Sequence, residues 1–144
     1  MAKQSSFFYR YKPDYKGNWR IMKNTIYIVE DDIDISYILD YYLREEGFNV
    51  AVFGTVREFR KAIKSSVPDL FLLDVMLPDG DGITVCNQVK SDPKTSWLPV
   101  IMMSAHLTDK YNIGCSAEEF IPKPFDLERL LKRINYHLHI SGPH

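Results

Sequence analysis

Apolar positions alternate between two rhythms from Thr25 onward. Thr25 to Val29 is a β-branched apolar run, which reads as a strand, and Ile35, Ile38, Leu39, Tyr42 and Leu43 follow at helical spacing with Gly47 as the stop. Residues 49–53 read as a second strand. Thr55 and Glu58 have the spacing of a capping box and open a second helix that ends before Pro68. Residues 70–73, Leu-Phe-Leu-Leu, are continuously apolar, as a strand covered on both faces requires, and lead directly into Asp74. After a loop with Pro78, Gly80 and Gly82, the pattern predicts a third helix over 83–90 and a fourth strand over 99–103. Residues 107–116 are polar with a weak helical signal, and 117–121 read as a fifth strand. Asp126 then caps a last helix that buries Leu127, Leu130, Leu131, Ile134 and Leu138.

Five strand–helix alternations in about 120 residues predict one parallel sheet with helices on both faces, because parallel neighbours need right-handed crossovers. The fold class is α/β, doubly wound, with strand order 2-1-3-4-5. Pro122 lacks a backbone donor and fits an edge strand, where that order puts the fifth strand.

Composition changes this picture only at the ends. The chain has 144 residues, 45% hydrophobic and 26% charged, enough for one core. The expected layout is an extension over 1–24, a globular domain over 25–138 and a short tail over 139–144. The extension mixes Phe7, Phe8, Tyr9, Tyr11, Tyr15 and Trp19 with basic residues, shows neither strand nor helix periodicity, and is expected to be poorly ordered. Met22, just before the regular pattern, offers an alternative translation start. Through residue 24 there are six basic residues against Asp14, and thereafter twelve against eighteen acidic ones. An acidic body argues against direct nucleic-acid binding. Cys86 and Cys115 have no CxxC spacing and read as reduced thiols. No apolar run approaches the roughly 20 residues of a membrane span and no signal peptide is evident, so a cytoplasmic protein with no membrane contact is expected.

Ligands of such sheets gather beyond the carboxyl ends of the strands. Strand one ends in Glu30-Asp31-Asp32, strand three in Asp74, strand four in Ser104 and strand five in Lys123. Carboxylates about 5 Å apart repel by roughly 3 kcal/mol at an effective dielectric near 20, so the cluster calls for a cation. Oxygen donors of this kind favour Mg²⁺. With such an ion present, Asp74 can serve as a nucleophile toward phosphorus. Asp79-Gly80-Asp81-Gly82 does not make a calcium loop: with Gly82 as the invariant glycine, Leu77 and Gln88 fall where acids are needed. His137 and His139 read as tail histidines, and Tyr41 and Tyr42 as surface and packing.

Over residues 25–138 the chain resembles the receiver domain of bacterial two-component response regulators. The resemblance rests on Val29-Glu30-Asp31, the loop from Asp74 through Pro78 to Gly82, Met103-Ser104-Ala105, and Phe120 through Lys123, Pro124 and Phe125. It implies a flavodoxin-like fold and a phospho-acceptor role for Asp74. Glu30 and Asp31 would be the acidic pair, with Asp31, Asp74 and the Met76 carbonyl as Mg²⁺ ligands; Asp32 falls just outside the pair. Ser104 would be the hydroxyl that turns to the phosphoryl group, Lys123 its ionic partner through a cis Lys123–Pro124 bond, and Phe120 the switch aromatic, without a phenol. Met76 and His106 occupy positions that tune phosphoryl lifetime in such domains. Ser104 and Lys123 are about one helical turn closer than usual, and Ser116 stands where glycine is common, so a short fourth helix is expected and the usual dimer contact is in question. The implied partners are a sensor histidine kinase or phosphotransfer protein, a downstream protein, and a second copy in a homodimer. The six residues after Leu138 suggest a stand-alone form that is not an enzyme. Two other classes compete: a phosphorylation-independent docking domain, and a small aspartyl-phosphate phosphatase, which usually carries a second acid where this chain has Met76.

Overall fold

The computed structural model describes residues 10–13, 15–105 and 114–140. In chain order its elements are β1 (Arg10–Pro13), β2 (Trp19–Met22), β3 (Thr25–Val29), α1 (Ile33–Glu45), β4 (Asn49–Phe53), α2 (Val56–Ile63), β5 (Leu70–Asp74), β6 (Met76–Leu77), β7 (Gly80–Asp81), α3 (Gly82–Ser91), β8 (Val100–Ser104), β9 (Glu119–Pro122) and α4 (Leu127–Ile140). Five strands form one parallel sheet in the order β4-β3-β5-β8-β9. Counting the parallel strands alone, this is the expected 2-1-3-4-5 order, with Pro122 on an edge.

Successive strand residues face opposite sides, and both sides are covered. Ile26, Ile28, Leu70, Leu72, Ile101 and Met103 pack with Leu39 and Leu43 of α1 and Leu130 and Ile134 of α4. Tyr27, Val29, Phe71, Leu73, Val100 and Met102 pack with Val56 and Phe59 of α2 and Val85, Cys86 and Val89 of α3. Covering both faces is why these strands read as unbroken apolar runs. Full burial of each large side chain contributes roughly 1.5–3 kcal/mol over leaving it exposed. Register then fixes the rim: Val29 pairs with Leu73, Asp74 with Met103, and Ser104 with Pro122.

Several expectations need correction. Within the leader, Arg10–Pro13 and Trp19–Met22 pair as an antiparallel hairpin. Gly17 permits its connection by adopting φ 83, a conformation that needs no alternating apolar pattern to announce it. β9 begins at Glu119 and takes in Pro122, and α4 runs through Ile140, two residues into the expected tail. Glu58 reaches back to the amide of Gly54 at 3.1 Å rather than to that of Thr55. Of the stretch expected to hold a short fourth helix, 107–116, residues 107–113 lie outside the described residues, as does His106; 114–118 contain no helix.

His137 is no tail histidine. It is buried on α4, with Nε2 2.7 Å from Glu119 Oε1, and Arg133 donates from Nε and Nη2 to the same carboxylate at 3.0 and 2.8 Å. Burial works against the charged Glu119, but hydrogen bonds from Arg133 and His137 outweigh it and hold its pKa below the ordinary value. The sign follows: this stabilisation is complete above the ordinary carboxylate pKa and is lost as pH falls through the lowered one. Glu119→Gln is expected to cost about 1–2 kcal/mol at pH 7, after allowance for partial exposure, and less near pH 3. Urea titrations of both proteins at the two pH values check this; an equal loss at both would reject it.

Candidate functional site

The site begins where β3 ends. Glu30 donates its amide to the Phe53 carbonyl at 3.0 Å, so β4 fixes its backbone. Its side chain, 2% exposed, turns toward Asp74, and Asp31 lies exposed beside it. Asp32 is engaged elsewhere, accepting from the amides of Asp34 and Ile35 at 2.9 and 3.1 Å as the N-cap of α1. Of the three consecutive acids, Asp32 is thus the one that opens the helix.

Asp74 closes β5 and is 6% exposed. Glu30, Asp31 and Asp74 each offer a carboxylate oxygen, all within 4.8 Å of one another, and theirs is the one such acid group among the described residues. Lys123, just past β9, sends Nζ to 2.5 Å from Glu30 Oε1 and 3.1 Å from Asp74 Oδ2. Three carboxylates against one ammonium leave a deficit that a divalent cation would balance, and a donor set of oxygens alone fits Mg²⁺. Burial pushes the Glu30 carboxyl up to about 7; Asp74 adds to this and Lys123 opposes it. Burial lowers the Lys123 pKa, but the bonds to Glu30 and Asp74 outweigh it and raise that pKa above its usual value.

The other residues picked from the sequence sit around this cluster. Ser104 ends β8, 4% exposed, and its carbonyl accepts from the Lys123 amide at 2.8 Å. Phe120 lies on β9 opposite Met102, half-buried against the α2–α3 side of the core. Met76 is 67% exposed, and its amide donates to Asp74 Oδ1 at 3.3 Å. The Lys123–Pro124 bond is cis.

Sequence reasoning missed what holds the loop between Asp74 and α3. A Cβ on Gly82 would stand 2.0 Å from the Asp74 carbonyl oxygen, so this position has no room for any side chain. Asp81, set aside with the calcium loop, caps α3 by accepting from the Thr84 amide at 2.7 Å; an aspartate just ahead of the helical pattern was the available signal. Asp79 accepts from the amides of Val56 and Arg57 at 2.8 and 3.0 Å, a contact 22 or more residues away that no local pattern announces.

Fold and rim together define a doubly wound α/β domain with a partly buried acidic cluster at the strand ends. The model of the response regulator receiver domain family matches residues 26–135, and the chain belongs to that family. It is 36% identical over 121 residues to the DNA-binding response regulator MtrA of Mycolicibacterium paratuberculosis, covering 81% of this chain and 52% of that protein. To the transcriptional regulatory protein GltR of Pseudomonas aeruginosa it is 34% identical, over 76% of this chain and 47% of the other. The chain thus spans about half the length of these curated relatives. Among solved structures it is similar to a response regulator from Chloroflexus aurantiacus (TM-score 0.76, 30% identity, 82% of this chain and 99% of that one). It is also similar to the response regulator TrrA of Thermotoga maritima in complex with Mg²⁺ and BeF (TM-score 0.71, 25% identity, 80% and 98%).

Proposed function

We propose that Asp74 accepts a phosphoryl group from a sensor histidine kinase or phosphotransfer protein, and that the phosphorylated domain signals by binding a downstream protein. The observation that carries this is the nearly buried Asp74 carboxylate, 3.1 Å from Lys123 Nζ and grouped with two further acids at the rim. An Asp74 oxygen attacks phosphorus, the bond from phosphorus to the donor's imidazole nitrogen breaks, and its electron pair leaves with the imidazole, which takes up a proton. Lys123 meets the incoming phosphoryl oxygens with its positive charge. Ser104 donates its hydroxyl to them from the end of β8, and Phe120 follows by repacking. Glu30, Asp31, Asp74 and the Met76 carbonyl are the residues that would hold Mg²⁺, which when bound neutralises the acids and the transferred group.

An apolar groove lined by Ile35, Ile38, Pro124, Phe125 and Leu127 opens beside Lys123 and suits docking of the phosphodonor protein. The acidic body of the domain disfavours direct contact with nucleic acid. Among the described residues no helix is long and apolar enough to cross a membrane; action in the cytoplasm belongs to this proposal.

Incubation with a small-molecule phosphodonor, with and without Mg²⁺, tests the reading. One acid-stable, base-labile phosphoryl group is expected, only with Mg²⁺, and none on Asp74→Asn. Catalytic turnover of the donor would indicate a phosphatase instead, and no modification a docking domain that works without phosphate.

A further inference from the structure

We propose that Asp79 is a positioning residue for the phospho-acceptor site: its carboxylate seats the β6–β7 turn on the first turn of α2 and so holds Met76 beside Asp74. This rests on the phospho-acceptor reading above.

The turn needs an outside hold. β6 and β7 are two residues each, paired Met76 to Asp81 and Leu77 to Gly80, and a ribbon this short is not stable alone. Its base is fixed to the sheet, where the Val75 amide donates to the Met103 carbonyl at 3.0 Å and the Gly82 amide to the Val75 carbonyl at 2.7 Å. Its tip is fixed to α2. Asp79 Oδ1 accepts from the Val56 amide at 2.8 Å and Oδ2 from the Arg57 amide at 3.0 Å, while a Cβ on Gly80 would meet Val56 Cγ2 at 3.3 Å. The first amides of a helix have no partner within it, and the dipole there favours a carboxylate. Thr55 serves only the next amide, that of Glu58, at 3.1 Å. The Asp79 carboxyl is held below its ordinary pKa, chiefly by the Val56 amide, so it is ionised at neutral pH.

Met76 lies between these two anchors, its amide on Asp74 Oδ1. Cutting the tip loose lets the Met76 backbone wander from Asp74, which lowers affinity for a cation without altering any carboxylate of the rim. A mere helix cap would behave differently, and Thr55 supplies the comparison, since it caps the same helix and has no tie to the turn.

The experiment uses the full chain as wild type, Asp79→Ala, Asp79→Asn and Thr55→Ala. Mg²⁺ is titrated into the unphosphorylated proteins and followed by amide NMR shifts, with thermal unfolding measured alongside. Asp79→Ala should bind Mg²⁺ roughly tenfold more weakly, in line with the loss of other residues that orient metal ligands. Asp79→Asn, which keeps one acceptor oxygen and is the variant to rely on if Asp79→Ala does not fold, should fall between. Thr55→Ala should lose stability yet bind Mg²⁺ as wild type does. Phosphodonor labelling of Asp79→Ala should be slow at limiting Mg²⁺ and recover at saturation. Wild-type affinity in both Asp79 variants, or an equal loss of affinity in Thr55→Ala, overturns the inference alone. A wild-type chain that binds no Mg²⁺ and takes no phosphoryl group overturns the phospho-acceptor reading with it.

Discussion

Gly82→Ala is expected to destabilise the domain by about 3 kcal/mol or more and to abolish phosphoryl uptake by Asp74. The new methyl carbon would lie 2.0 Å from the Asp74 carbonyl oxygen and 2.9 Å from its carbon, with Met102 Cε at 3.1 Å. Two of these three atoms are backbone of a central strand, held on both sides by sheet hydrogen bonds, so the strain has no flexible side chain to absorb it. Overpacking typically costs 1–3 kcal/mol and more where the backbone must shift, and the backbone that shifts here carries Asp74, the proposed phospho-acceptor. Denaturant titration and the mass of the phosphodonor-treated protein measure the two effects. A Gly82→Ala chain of near wild-type stability that still takes the label would mean that α3 can move away from β5 at little cost.

Lys123→Met is expected to slow phosphoryl uptake by a factor of about 10²–10³ while leaving the fold intact. That range is what removing one preorganised electrostatic contact to a transferring group costs in other sites. Methionine keeps most of the apolar stem of lysine, so the packing beside Pro124 survives while the charge and its bonds to Glu30 and Asp74 are lost. The rate of Asp74 labelling at saturating Mg²⁺ isolates this effect from any change in cation binding. A reduction of less than about threefold would assign Lys123 to the resting ion pair with Glu30 and Asp74 rather than to the transfer.

Most of the sheet was readable from the sequence because burial on both faces writes itself as unbroken apolar runs, as in Leu70-Phe71-Leu72-Leu73. The four rim positions were readable for the same reason: Asp74 interrupts such a run at its end, and Glu30, Ser104 and Lys123 occupy equivalent ends. Boundaries were less readable where propensity and pairing disagree. Ala117 suits a strand, yet the ladder begins at Glu119, where pairing with Ile101 starts. Contacts between distant segments were not readable at all. Asp79 looked like part of a loop motif, and His137 like a tail residue, because the partners that define them, α2 and Glu119, lie 18 or more residues away.

Lys123 stands at the outer strand yet ties itself to the acid after β3, so a single ammonium laces the carboxyl edge of the sheet across β8 and β5. A new anionic group on Asp74 would compete for that lace. On the proposed function, each gain by the newcomer would slacken the tie to Glu30, and the backbone of the outer strand, already joined to Ser104 through the Lys123 amide, would receive the change mechanically.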